Sequence, residues 1–151
     1  MNSNHTYFVK GKTFLFFFAF IFNCAAAQNI VGTYSGKGST GFQNGDTAAA
    51  TFNGPFGMCR DKSGNLYIAD SKNNVIRKIS ANGTVSTYAG TGTAGYKDTV
   101  ASLAMFNEPS DICVDDAGTI FVSDFLNHRI RKIAANGVVS TVAGAGVTVW
   151  L

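Results

Sequence analysis

An acid and a base recur at fixed spacing in this chain. Asp70 precedes Arg77, Asp124 precedes Arg131, and the two pairs stand 54 residues apart. As chemistry, such pairs suggest general acid and base groups. As structure, each Asp accepts turn hydrogen bonds and each Arg crosses a sheet face. The structural reading is favoured, since a catalytic group is normally placed once and these occur twice. Other candidates are thinner. His128 is the only His beyond residue 27, whereas zinc takes several His or Cys ligands. Asp115-Asp116 lacks the spaced oxygen ligands of a calcium loop. Gly36-Lys37-Gly38-Ser39-Thr40-Gly41 lacks the spacing of a phosphate loop, and no Ser-His-Asp signature is present. No catalytic residue, cofactor or metal site is expected.

The residues with binding character lie elsewhere, in two loops at corresponding places. Lys72, Asn73 and Asn74 form one; Phe125, Leu126, Asn127 and His128 form the other. They differ between copies where the surroundings do not. Phe125 and Leu126 are apolar at a turn, which marks a contact surface or packing against the next connection.

These loops must be carried by a repeat. Aligned without a gap at an offset of 54, residues 52–92 and 106–146 agree at 21 of 41 positions, the signature of a solenoid, propeller or array. Within each copy the hydrophobic period is two. Four strands are predicted in the first: Phe56–Cys59, Asn65–Ala69, Val75–Ile79 and Thr84–Ala89. On the third, Val75, Arg77 and Ile79 share one face and Ile76 and Lys78 the other. Asp61 to Gly64 and Ala81-Asn82-Gly83 are turn chemistry. The second copy predicts Thr119–Ser123, Arg129–Ile133 and Val138–Ala143 likewise. Four short antiparallel strands per unit describe a propeller blade. The expectation is an all-β chain of two blades plus an N-terminal outer strand at Ile30–Tyr34, a partial propeller. Its divisions are residues 28–50 for outer strand and Gly-rich connection, 51–104 for the first blade with its connection, 105–146 for the second, and 147–151 for a divergent tail.

Residues 1–27 read as a secretory leader. Lys10 and Lys12 precede an apolar run from Phe14 to Phe22, and Ala25-Ala26-Ala27 offers a cleavage site before Gln28. The run is short for a spanning helix, which needs about 20 apolar residues, so no stable membrane span is expected after cleavage. Cys24 raises a lipid anchor, with Phe22 and Asn23 as poor neighbours for it. The expected location is secreted, periplasmic or cell-surface. The leader takes two of the 12 basic residues and none of the nine acids, leaving 10 − 9 = +1. That near-neutral balance gives no footing for nucleic-acid binding. Cys59 and Cys113, at equivalent positions in successive units, are expected as two small buried thiols rather than a bridge.

The repeat carries a resemblance. Pro55, Met58, Asp61 and Gly64, then Leu66-Tyr67-Ile68-Ala69-Asp70, then Asn73 and Ile76-Arg77-Lys78-Ile79 look like the NHL repeat. Its second copy holds Asn127-His128-Arg129-Ile130, close to the Asn-His-Leu core that names the family. The resemblance covers about residues 30–146 and implies propellers that close with five or six blades. On that ground, missing blades or self-association are needed to close a ring, and the chain reads as a truncated piece. It implies a binding or scaffold module for a protein, glycan or surface partner. The alternative is part of a gluconolactonase-like enzyme, which places a divalent metal in the central channel and needs acidic side chains from several blades.

Overall fold

The computed structural model describes residues 32–145. The expected leader, Cys24 and residues 147–151 lie outside them, as do Ile30 and Val31 of the expected outer strand. Residues 32–34, the described part of that strand, adopt no strand. No helix among the described residues is long and apolar enough to cross a membrane.

Two antiparallel sheets form among the described residues. The first contains β1 (Gly45–Asp46), β2 (Pro55–Arg60), β3 (Leu66–Asp70), β4 (Val75–Ile79) and β5 (Thr84–Ala89), in the spatial order β1-β5-β4-β3-β2. The second contains β6 (Pro109–Val114), β7 (Ile120–Asp124), β8 (Arg129–Ile133) and β9 (Val139–Ala143), in chain order. Each is one four-stranded propeller blade, with the two-residue β1 added outside β5. Strands β2 to β5 and β7 to β9 fall within one residue of their expected bounds. The turns explain that agreement: Gly83 and Gly137 take φ of 86° and 80°, where a Cβ is penalised. Their N–H groups donate to Ser80 and Ala134 carbonyls at 2.8 Å.

The register repeats as well. Ile68 faces Arg77 and Arg77 faces Thr87, while Val122 faces Arg131 and Arg131 faces Thr141. A register shift falls between Ile76 and Arg77, and again between Ile130 and Arg131. The connection ahead of each blade is part of the same unit. Gly36, Lys37 and Gly41 donate to the carbonyls of Thr47, Ala50 and Phe52; Gly90, Thr91 and Gly95 donate to those of Ala101, Ala104 and Phe106.

Packing between blades makes the larger core. Tyr67, Ala69, Ile76 and Ala89 of the first blade meet Phe106, Ile112, Ile120, Val122, Ile133 and Val139 of the second. A smaller cluster of Ala50, Ile68, Ile79 and Val85 lies on the opposite face of the first blade, beside Phe52 and Leu66. Ile76 and Ile79 therefore point to opposite faces, as expected, and both are buried. At the inner edge β2 lies against β6. A Cβ at Gly57 would stand 2.6 Å from the Asp111 Cα, so only glycine allows this approach.

The expectation of two buried thiols needs correction. Cys59 is half-buried, but Cys113 is exposed, and both are free. The cause is positional: the face that bears Cys59 is covered by the second blade, and the matching face of the second blade is open. Burial pushes the Cys59 thiol up to about 11, with Cys113 and Asp111 adding to the shift.

Two outcomes follow from this packing. Gly57→Ala should destabilise the chain by about 1–3 kcal/mol, the usual effect of overpacking a filled site, measured by urea unfolding. In a thiol titration at pH 8, Cys113 should react well before Cys59, because the thiolate is the nucleophile. Equal rates at the two positions would contradict the burial described.

Candidate functional site

The repeated acid and base meet in the blade interior. Asp70 and Arg77 are both fully buried, with Nη1 donating to Asp70 Oδ2 at 2.9 Å; Asp124 and Arg131 form the same buried pair at 2.6 Å. Each Asp also accepts the N–H that opens its blade, Asn53 at 2.7 Å and Asn107 at 2.8 Å. Each Asp thus joins the opening of its blade to the Arg of the third strand. No solvent reaches either carboxylate, so neither is placed to exchange a proton with a substrate.

A surrounding box of residues completes each Arg, and sequence reasoning missed it. Arg77 donates to the carbonyls of Thr51 and Gln43 at 3.0 and 2.8 Å and to Asn44 Oδ1 at 2.8 Å, between the rings of Phe42 and Phe52. Arg131 donates to the carbonyls of Met105 and Lys97 at 3.0 and 2.9 Å, between the rings of Tyr96 and Phe106. Phe42, Gln43 and Asn44 align with Tyr96, Lys97 and Asp98 at the same offset of 54. The signal was present in the sequence, but only Phe52/Phe106 is identical among these pairs, so a search for identities passes over the rest.

The boxes differ at one position that matters. Asp98 Oδ1 takes both Arg131 Nε at 2.9 Å and Nη2 at 2.6 Å, whereas Asn44 takes only Nη2 of Arg77. Arg77 Nε is left buried without a partner. Asp98 also accepts the Thr141 N–H at 2.9 Å and the Tyr96 hydroxyl at 3.0 Å. Burial alone would raise the Asp98 carboxyl; hydrogen bonds from Thr141 and Arg131, with the Arg131 charge, outweigh it and hold the carboxyl below its usual value.

The two candidate loops sit at one rim, each a single 3-10 turn following its Asp. They are Ser71–Asn73, closed by Asn74 at φ 56°, and Phe125–Asn127, closed by His128 at φ 52°. Asn73 and Asn127 are structural: each Nδ2 donates to its Asp and to a carbonyl of the preceding connection, Gly41 at 2.8 Å and Gly95 at 2.7 Å. In the first blade the rest of the loop is spent on the neighbour. Lys72 Nζ pairs with Glu108 at 2.7 Å, and Asn74 Oδ1 accepts the Glu108 N–H at 3.0 Å. In the second blade Phe125 and Leu126 are 59% and 43% exposed. With Ser123, Asp124, His128 and Arg129 among its neighbours, Phe125 lines an open pocket of about 310 Å³. Among the described residues no three His, Cys, Asp or Glu side chains are grouped to hold a metal ion. The accessible chemistry is that of an apolar rim beside polar edges, suited to contact.

Removing one member of a buried pair leaves the other charge stranded, so Asp124→Asn should cost about 3–5 kcal/mol, read by denaturant unfolding. Asp98→Asn should cost less, about 1–3 kcal/mol at pH 7. Because the folded Asp98 carboxyl is held below the ordinary 3.8, its contribution is present above that value and lost as pH falls through the folded pKa. Melting curves of the parent and the Asp98→Asn variant should therefore converge in acid; a gap that widens below pH 3.8 would contradict the assignment.

Comparison with known proteins agrees with this geometry. Residues 106–133 match the NHL repeat. The chain is 35% identical over 97 residues to the chloroplastic protein SUPPRESSOR OF QUENCHING 1 of Arabidopsis thaliana, covering 64% of this chain and 9% of that one. It is 39% identical over 89 residues to NHL repeat-containing protein 2 of Gallus gallus, covering 58% and 12%. The chain thus spans about a tenth of the length of these relatives. Among solved structures it resembles an auxiliary nutrient binding protein from Bacteroides thetaiotaomicron, with a TM-score of 0.61 and 27% identity over 72% of this chain and 28% of that one. With the repeat, the blade and these relatives in agreement, the chain carries an NHL repeat at residues 106–133 and resembles NHL-repeat proteins across both β-propeller blades.

Proposed function

We propose that the chain is an exported propeller module that binds a protein, glycan or surface partner through the rim loops of its blades. The observation that supports this reading most is the contrast between two loops at equivalent places on the repeated scaffold. Ser71 is buried and Lys72 pairs with Glu108 of the neighbouring blade, whereas Phe125 and Leu126 stand exposed at the equivalent place. An exposed aromatic and a neighbouring Leu beside a pocket form an anchor of the kind that carries binding energy. The likeness to an auxiliary nutrient binding protein supports binding as the role, and the basic, apolar, Ala-rich residues 1–27 support export.

The test exchanges the loop tip. Phe125→Ser with Leu126→Lys installs the first blade's residues in the second. Binding of the full chain to arrays of oligosaccharides and of purified cell-envelope proteins should weaken about tenfold or more, as for loss of an anchor side chain, with the melting temperature unchanged. Binding that survives the exchange at full strength would place the partner elsewhere. Amino-terminal sequencing of the chain released by the host cell checks export, with Gln28 as the expected first residue.

A further inference from the structure

The junction between the two blades shows what an open blade face of this chain is built to meet. On the first blade's side it buries Tyr67, Ile76 and Ala89; on the second blade's side it buries Phe106, Ile112 and Ile120. Moving the first set forward by 54 gives Phe121, Ile130 and Ala143, on the far face of the second blade. There Ile130 and Val142 are 40% and 53% exposed. Moving the second set back by 54 gives Phe52, Met58 and Leu66, on the far face of the first blade, where Met58 is 65% exposed. An open pocket of about 340 Å³ lies on that face among Phe52, Pro55, Met58, Leu66 and Ile68. A shallower pocket of about 200 Å³ lies beside Cys113, Phe121 and Ile130 on the other. The two halves of one apolar contact, buried where the blades meet, thus recur without a mate among the described residues, one on each outer face.

We infer that the chain associates head to tail with a second copy. The outer face of the second blade in one copy seats the outer face of the first blade in the next, continuing the junction already present within the chain. The two faces differ in residue content, so like does not pair with like; the contact is heterologous and can repeat around a ring. Two features set its geometry. Asp111 stands where the internal junction has Gly57, so the new junction sits wider at its inner edge. Gly32 to Ser35 of the incoming copy match residues 86–89 at the offset of 54, so they meet the place held by β9 and must move aside. Residues 32–34, which form no strand, have no ladder hydrogen bonds to lose in doing so.

The test uses complementary single-face variants of the full chain, recovered after export, at positions exposed enough to keep the fold. Val142→Asp spoils one face and Met58→Asp the other, with Ile130→Lys and Met58→Lys as second choices should either fail to match the parent's circular dichroism. Light scattering and sedimentation should show the parent forming oligomers that grow with concentration. Each variant alone should remain monomeric, its dissociation constant raised about tenfold or more as for loss of a central contact. An equimolar mixture of the two should give a 1:1 dimer, because each still carries one intact, complementary face. A parent that stays monomeric at every concentration would overturn the inference. So would one variant that dimerises alone, since that marks a contact between like faces.

Discussion

A guanidinium buried away from water must be neutralised and hydrogen-bonded on the spot, or the blade does not hold together. Arg77 and Arg131 set that requirement, and much of each unit is arranged to meet it. The Asp seven residues earlier supplies the charge and also accepts the N–H that opens the blade. Carbonyls of Gln43 and Thr51, or Lys97 and Met105, supply acceptors from a segment that is otherwise irregular. Two aromatic rings close the sides. One buried cation therefore fixes three things together: the path of the connection, the start of the blade and the register of its third strand.

The rim follows from the same arrangement. Asn73 and Asn127 use one amide to bind both the Asp and the connection, so the turn after each second strand is held from behind. Its tip is then free to vary without cost to the scaffold. In the first blade Lys72 and Asn74 have become part of the seam with Glu108. In the second, the same positions carry Leu126 and His128, and an aromatic residue precedes them. One structural position thus stands among three variable ones along four residues, which is how a rigid repeat presents a changeable surface.

Much of this was legible in the sequence. Asn82-Gly83 and Asn136-Gly137 fix hairpins by a local steric rule, and period-two alternation between turns leaves little room for another reading; hence strands within one residue. The recurrence of Asp and Arg at one offset was legible too, as a repeated pair. What escaped was non-local. The box around each Arg comes from two stretches of the preceding connection that match in geometry more than in identity: a carbonyl serves whatever its side chain, and Phe42 and Tyr96 each offer an aromatic ring. The exposure of Cys113 escaped for a related reason. Equivalent positions in a repeat share a backbone setting, but their burial depends on whether a neighbouring blade stands on that side.

The segments that cap each Arg also bear on how the fold comes apart. Gly90 to Met105 leaves the outer strand of the first blade and closes the interior of the second, so no cut in the chain separates one blade cleanly from the next. Fraying of β5 would loosen Tyr96, Lys97 and Asp98 and uncover Arg131 in the adjacent sheet. In such a linked array, local opening is suppressed in favour of concerted unfolding. The most slowly exchanging amides should then lie along β4 and β8 together, as a single cooperative block spanning both blades.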